Sequence, residues 1–327
     1  MYDAVISRVS IIVPVHNSST YIERCVHSLF EQTFENIEYV FVDDASTDNS
    51  INIIKEILKK YPSRVSQCKF IYNKENLGVS SSRNKGLMVA SGEFICFCDN
   101  DDWMDKDMLL SMYHFAKSNK SDLVLCDAIS VDCNGEEILH IQYPNIDKIN
   151  ALRTYIASTW NPIWNMLIKR NLFFDKNIFF PSGKNMCEDY YVSTKLLLNS
   201  AHPIHIGKAL YYYNRSNPSS FLHNQNEKSN RVKIDLNLDL ISYFKEKGEY
   251  KYYEKELCWR LLNAKQELCF YRDSFGTFML IFPRSHQYIL SCPFLSMKVK
   301  LTMWCLTHHL RFVSEMLSFC RKLKYNI

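Results

Sequence analysis

What is missing from this 327-residue chain narrows its class before any motif is read. Its 12 cysteines include no Cys-x-x-Cys pair, so nothing has the spacing of a common zinc site. Isolated cysteines among apolar residues are mostly buried thiols, and without an export signal they place the chain in a reducing cytosol. Residues 1–9 lack the basic stretch and apolar core of a secretory signal peptide. The longest uncharged run of the C-terminal part, residues 285–297, has 13 residues, against the ~20 that a spanning helix needs. There is no internal repeat, no low-complexity segment and no strong net charge, the balance being +4. No nucleic-acid partner is expected.

What is present is ordinary in amount and uneven in place. An apolar fraction of 47% with 23% charged residues fits a folded globular protein. The length suits one main domain and an extension. Residues 1–227 carry 22 basic and 26 acidic residues, a balance of −4, and residues 228–327 carry 17 and 9, a balance of +8. An acidic body with a basic tail points to two different partners.

Val9–Val15 is an almost continuous apolar run, the pattern of a strand buried on both faces. Further strands are expected at residues 37–42, 70–72, 93–98 and 123–126. Between them lie helical patterns. One opens on a capping box, Thr20 with Glu23; one is capped by Asp48 or Ser50; one covers residues 79–90 with Gly92 as its stop signal; one covers residues 106–116. The alternation predicts a parallel sheet over the first 130 residues, with helices on both faces. Such sheets bind ligands beyond the carboxyl ends of their strands. His16, Asn17, Asp43, Asp44, Asn73, Asn76 and Asp99 to Asp102 all follow expected strands.

Three of these clusters carry chemistry. In Asp99-Asn100-Asp101-Asp102, residues i and i+2 of an extended segment point the same way. Two carboxylates can then converge on one hard cation, Mg²⁺ or Mn²⁺, which takes its other ligands from water and phosphate. In Asp43-Asp44-Ala45-Ser46-Thr47-Asp48, a carboxylate at a strand end can accept from a nucleoside base or a ribose hydroxyl, while Asp48 is also placed to cap a helix. In Asn76-Leu77-Gly78-Val79, Gly78 allows close backbone approach, and Arg83 one turn on can reach a phosphate.

Taken together, Val13-Pro14-Val15-His16-Asn17, the Asp43 to Asp48 segment, residues 76–86 and residues 97–103 resemble the inverting family 2 glycosyltransferases of the GT-A fold. The resemblance is dense over residues 9–110, looser to about residue 223 and absent beyond. It implies that Pro14, His16 and Asp44 hold the nucleotide base, usually uracil, that Asn76 belongs to the donor site, and that Arg83 lies near the diphosphate. It implies that Asp99 and Asp101 are the Asp-x-Asp pair, Asp101 the more direct ligand of Mn²⁺ or Mg²⁺, with Asp102 a further acid. Glu188-Asp189 matches the Glu-Asp pair whose second member is the catalytic base. Trp164-Asn165 resembles the acceptor-side segment before it, and Glu188 is placed on that side too. Tyr213-Asn214-Arg215 with Ser219-Ser220 resembles the loop that closes over the diphosphate. His16 stands where Tyr is common, Ala45 where Gly is common, and Met166 where Lys is common.

The expected architecture is therefore a GT-A α/β domain over residues 1–227, with donor binding in 1–110 and the acceptor side in 130–227, and a basic helical extension over 228–327. The expected reaction moves a sugar from a nucleotide diphosphate, UDP before others, to a hydroxyl of a saccharide or lipid-linked acceptor. A binding protein without catalysis would not need all these acids. A nucleotidyltransferase would want a glycine- and cation-rich loop after the first strand, where this chain has His16-Asn17-Ser18-Ser19. In the tail, Val299, Met303, Leu306, Leu310, Val313, Leu317 and Cys320 step by four and three as the stripe of one long helix. With seven basic residues and one acid over residues 278–327, that stripe predicts attachment to the inner face of the cytoplasmic membrane.

Overall fold

The computed structural model describes residues 8–132, 134–142, 148–158, 160–217 and 227–310. The elements run β1 (Val9–Val15), α1 (Ile22–Phe30), β2 (Ile37–Asp43), α2 (Ser50–Leu58), β3 (Cys68–Tyr72), α3 (Val79–Val89), β4 (Phe94–Phe97), β5 (Trp103–Met104), α4 (Met108–Ser118), β6 (Leu123–Val131), β7 (Glu137–Ile141), α5 (Lys148–Ile156), β8 (Met166–Lys169), α6 (Arg170–Asp175), α7 (Glu188–Asn199) and β9 (Pro203–Asn214). Then follow α8 (Glu227–Glu246), α9 (Tyr250–Ala264), α10 (Phe275–Leu280) and α11 (Met297–Thr307), with 3-10 turns between them. Two compact units result: Met1–Leu152 with Pro162–Asn224, and Arg153–Asn161 with Gln225–Ile327.

In the first unit, nine strands form one mixed sheet in the order β3-β2-β1-β4-β8-β6-β9-β5, with β7 paired on β6. β3, β2, β1 and β4 are mutually parallel, as the apolar runs predict. Every residue of β1 and β2 is buried. The fifth expected strand, now β6, does not lie beside β4. The short β8 inserts antiparallel between them, so β6 still runs in the direction of β4. Four residues, Met-Leu-Ile-Lys, carry too little periodicity to announce a strand. Met166 is fully buried in β8 and pairs with Leu125, a place that suits an apolar side chain and not a lysine.

The polar residues inside β1 and β2 lie at the opposite end from the ligand edge. The Ser10 hydroxyl donates to Glu38 at 2.5 Å, and Ser91 donates to the same carboxylate through its N–H and hydroxyl, each at 2.8 Å. Gly92 sits beside them. A Cβ there would stand 2.6 Å from the Ser10 nitrogen, so close packing requires this glycine; α3 has already stopped at Val89, with Ala90 extended behind it. The expected capping box at Thr20 does not form: Tyr21 precedes α1 without a side-chain cap, and the Ser18 carbonyl takes the Tyr21 and Ile22 N–H groups. Asp48 does serve the start of α2, accepting the Ser50 N–H at 3.0 Å and the Ser19 N–H at 2.8 Å. Burial raises its pKa, and the bonds from Ser50 and Ser19 outweigh that and bring it down to about 2.

The second unit is helical. It begins at Gln225 and takes in Arg153–Asn161, which the sequence places in the first domain. The reason is local: the Arg153 guanidinium donates to the Tyr252 carbonyl at 2.9 and 3.0 Å, and Arg260 donates to the Ser158 carbonyl at 2.9 Å. Val299, Met303 and Leu306 pack in this unit's own core with Phe278, Ile289 and Cys292. Those three members of the predicted stripe therefore present nothing to a lipid surface. Nor does the helix run on as predicted. His309 has a left-handed φ of 60°. The His309 N–H reaches the Leu306 carbonyl at 3.1 Å, and the Leu310 N–H reaches that of Cys305 at 2.8 Å. This pair of bonds is a Schellman stop. Val313, Leu317 and Cys320 lie outside the described residues. Among the described residues no helix is long and apolar enough to cross a membrane.

Candidate active site

The carboxyl ends of β1, β2 and β3 build the first part of the site. Asp44 is 3% exposed and spends both carboxylate oxygens on its neighbours. Oδ1 accepts from Asn73 Nδ2 at 2.6 Å and from the Leu77 N–H at 2.9 Å, and Oδ2 accepts from the Gly78 N–H at 2.7 Å. Asp44 thus organises the 76–78 turn. His16 lies exposed above it. Asn17 Oδ1 accepts the Thr47 N–H and Asn76 Oδ1 accepts the Gly78 N–H, so both amides turn their Nδ2 donors to His16 Nε2, at 3.3 and 3.0 Å. The ring is thereby fixed with its hydrogen on Nδ1, which donates to the Asp44 carbonyl at 2.8 Å. The Pro14 carbonyl accepts from Asn100 Nδ2 at 2.9 Å, tying the acid cluster to β1.

The second part centres on Arg83, on the second turn of α3 and 2% exposed. One guanidinium nitrogen donates to Asp99 Oδ1 at 2.8 Å. The other donates to Asp189 Oδ1 at 2.6 Å and to Glu188 Oε1 at 3.0 Å. The sequence places Arg83 near a diphosphate; the structure gives its guanidinium to three carboxylates. Burial works against the charged guanidinium, and Asp189, Asp99 and Glu188 overcome it, so its pKa lies above the usual arginine value. One cation among three acids leaves negative charge in excess. Burial raises the Asp189 carboxyl most, to about 8, with Arg83 opposing and Glu188 and Asp99 adding to the rise. Glu188 is also raised, again by burial first. Glu188 faces Arg83 here.

The remaining acids divide by role. Asp102 is 1% exposed and belongs to the framework. It accepts from the Tyr211 hydroxyl at 2.9 Å and from the Asn214 N–H at 2.8 Å, fixing β9 to the acid cluster. Asp101 accepts from Asn217 Nδ2 at 2.7 Å. Burial and the nearby Asp99 push Asp101 up to about 6. Two crowded hard carboxylates, Asp99 and Asp101, are a donor set suited to Mn²⁺ or Mg²⁺. No group of three or more His, Cys, Asp or Glu able to hold a metal occurs among the described residues, so water and a bound phosphate would supply the other ligands.

Trp164 is 3% exposed and stacks on Tyr211 at 4.2 Å and on Tyr213 at 5.9 Å. Asn165 is fully buried; its amide donates to the Cys126 carbonyl at 2.9 Å, and its own carbonyl accepts the Cys126 N–H at 3.0 Å. It bridges β8 and β6. Arg215 is exposed just beyond β9, its N–H held by the Val131 carbonyl at 3.0 Å. Ser219 and Ser220 lie outside the described residues. The sequence reading misses Tyr211, Asn217, Ser80 and Asn185. Ser80 and Asn185 sit in polar stretches with no periodicity, and nothing in the sequence marks them out.

A family model described as glycosyl transferase family 2 matches residues 10–190. Glycosyltransferase GlyA of Streptococcus pneumoniae serotype 4 is 32% identical over 218 residues, which are 63% of this chain and 30% of that protein. EpsH of Bacillus subtilis (strain 168) is 30% identical over 258 residues, 76% of this chain and 72% of that protein. TarS of Staphylococcus aureus, a poly(ribitol-phosphate) β-N-acetylglucosaminyltransferase, is 30% identical over 208 residues, 62% of this chain and 35% of that protein. The chain thus spans about a third of the length of GlyA and TarS. The crystal structure of TarS 1–349 in complex with UDP-GlcNAc superposes with a TM-score of 0.69 at 23% identity, over 97% of this chain and 92% of that one.

Proposed function

The chain belongs to glycosyl transferase family 2, and from that premise we propose that it transfers a sugar from a UDP-sugar to a hydroxyl of a saccharide or lipid-linked acceptor, with inversion. Its fold is GT-A, and its relatives include glycosyltransferases named for poly(ribitol-phosphate). One observation carries the reading. Asp99 of the acid cluster and Asp189 of α7, 90 residues apart, meet on one guanidinium at 2.8 and 2.6 Å. One member of the candidate metal-holding acid pair and a base candidate therefore share one site.

In the proposed mechanism Asp189 accepts the proton of the acceptor hydroxyl, and that oxygen attacks the anomeric carbon from the face opposite the diphosphate. The bond to the diphosphate breaks as the new glycosidic bond forms. Held on Arg83 at 2.6 Å, Asp189 is the candidate general base, a role typically contributing ~10²–10⁴-fold. Asp99 and Asp101 would hold Mn²⁺ or Mg²⁺, which supplies neutralisation of the leaving diphosphate. Arg83 holds Asp189 and Asp99 in register, and the exposed Arg215 is available to the phosphates. Pro14, His16, Asp44 and Asn76 form the nucleoside side. Trp164 and Asn165 shape the acceptor side, Trp164 through the Tyr211–Tyr213 stack and Asn165 from within the sheet.

A second proposal concerns location: the basic unit rests on the inner face of the cytoplasmic membrane. Residues 271–327 carry eight basic and two acidic residues, and Met297 and Leu301 lie exposed one turn apart on α11. Charge near an anionic surface contributes about 1 kcal/mol per residue. The donor reading is tested by thermal shift against a panel of nucleotide sugars with Mn²⁺. UDP-sugars are expected to raise the melting temperature most; a larger shift with GDP- or TDP-sugars overturns it.

A further inference from the structure

Helix α3 begins at Gly78, whose φ of 85° and ψ of 163° suit glycine alone. A residue at this place normally brings a side-chain oxygen that accepts the N–H of the second or third helical residue. Glycine cannot supply it. The oxygen comes from elsewhere in the chain: Asn185 Oδ1 accepts the N–H of Ser80, the second helical residue, at 3.3 Å. A Cβ on Gly78 would stand 2.0 Å from Asn185 Nδ2 and 2.6 Å from its Cγ. The Asn185 amide therefore occupies the space that a capping side chain would fill.

The same end of α3 grips the chain around Asn185. The Ser80 hydroxyl, fully buried, donates to the Lys184 carbonyl at 2.6 Å. One turn on, Asn84 donates to the Phe180 carbonyl at 2.8 Å and accepts the Phe180 N–H at 2.9 Å. These bonds fix residues 180–185, which lead through Cys187, with a left-handed φ of 61°, straight into Glu188 and Asp189. On its other side the Gly78 N–H is held by Asp44 and Asn76. One helix start thus carries the nucleoside-side turn and the strand of chain that bears the base.

We infer that Asn185 is a positioning residue for transfer: by capping α3 from outside the helix, it sets where Asp189 stands relative to the bound donor. The inference rests on Asp189 being the base. Asn185 touches no reacting group in this account. Its effect passes through Cys187 and the first turn of α7. A misplacement of about 1 Å at a reacting group can cost 10²-fold in rate, so the expected effect is on turnover and not on donor affinity.

The test is steady-state transfer kinetics of the full chain, with UDP binding measured in parallel. Asn185→Ala is expected to lower kcat at least tenfold while the donor KM and the UDP affinity stay within twofold. Asn185→Asp keeps an acceptor oxygen for the Ser80 N–H and is expected to restore most of the lost kcat, which a general packing defect would not allow. If Asn185→Ala does not fold, Ser80→Ala, which removes the neighbouring tether to Lys184, is expected to show the same split. Unchanged kcat in the folded variant, or a donor KM that rises in step with the loss, overturns the inference. So does an aspartate that fails to restore turnover. Asp189→Asn in the same series separates the two readings. If it remains active, the base reading has failed; if it is inactive while Asn185→Ala is unaffected, only the positioning role has failed.

Discussion

Replacing Arg83 by methionine removes the cation on which three carboxylates converge. The side chain is 2% exposed, and its bonds to Asp189, Asp99 and Glu188 measure 2.6, 2.8 and 3.0 Å. Methionine fills similar space but leaves the acids facing one another. Removing one partner of a buried ion pair costs about 3–5 kcal/mol. For a unit of this size about 2–4 °C of melting temperature is lost per kcal/mol, so the expected drop is about 6–20 °C. The loss should depend on pH in a defined direction. An acid whose folded pKa lies above its unfolded value stabilises the fold below the unfolded value and loses that stabilisation as pH rises through the folded one. Asp189 already has a folded value of about 8, against about 3.9 unfolded. Without Arg83, which opposes the rise of both, Asp189 and Glu188 go up further. The variant should therefore lose less at pH 5 than at pH 8, relative to wild type at the same pH. Calorimetry at both values measures this. A drop below about 2 °C, or an equal drop at the two pH values, would refute the shared-cation account.

Three further outcomes are expected. Transfer should stop in excess chelator and return with Mn²⁺, and Asp101→Ala should weaken UDP-sugar binding measured by calorimetry at least tenfold; full turnover in chelator would exclude the metal site. Lys265 is fully buried with its ammonium on the Ile281 carbonyl at 2.7 Å, and burial pulls its pKa to about 7. Unfolded lysine titrates near about 10.4, so the second unit should gain stability between pH 7 and 10, and Lys265→Met should flatten that slope in thermal melts; an identical slope counts against the buried amine. Full-length protein should co-sediment with anionic vesicles at low salt, less so in 0.5 M salt, and Met297→Glu with Leu301→Glu should reduce it; wild type that stays in the supernatant ends the membrane proposal.

The elements with long apolar runs were legible in the sequence, and those shaped by tertiary pairing were not. β1 and β2 announce themselves because every position is buried. β8 does not, since four residues carry no period and its place between β4 and β6 depends on a partner more than 40 residues away. The acid clusters were legible as chemistry, yet their allegiances were not. Asp44 reads as a ligand-binding carboxylate, and nothing in the sequence shows that it also builds the 76–78 turn. Arg83 reads as a residue near a diphosphate, and nothing in its spacing shows that its guanidinium also joins Asp99, just beyond β4, to Glu188 and Asp189 of α7. Such roles follow from which strand ends meet in space, and sequence spacing holds no record of that. The tail shows the reverse case. Val299, Met303 and Leu306 form a true apolar stripe, but periodicity alone cannot say whether a core or a membrane covers it, and here the unit's own core does.

The central claim, that Asp189 is the base of a glycosyl transfer, is tested most directly by Asp189→Asn. The amide keeps the shape and cannot take the proton. Transfer from a UDP-sugar should fall at least ~10²-fold, the lower bound for a lost general base, while UDP-sugar binding by calorimetry stays close to wild type. A variant that binds donor normally and retains more than about a tenth of the wild-type rate would contradict the account.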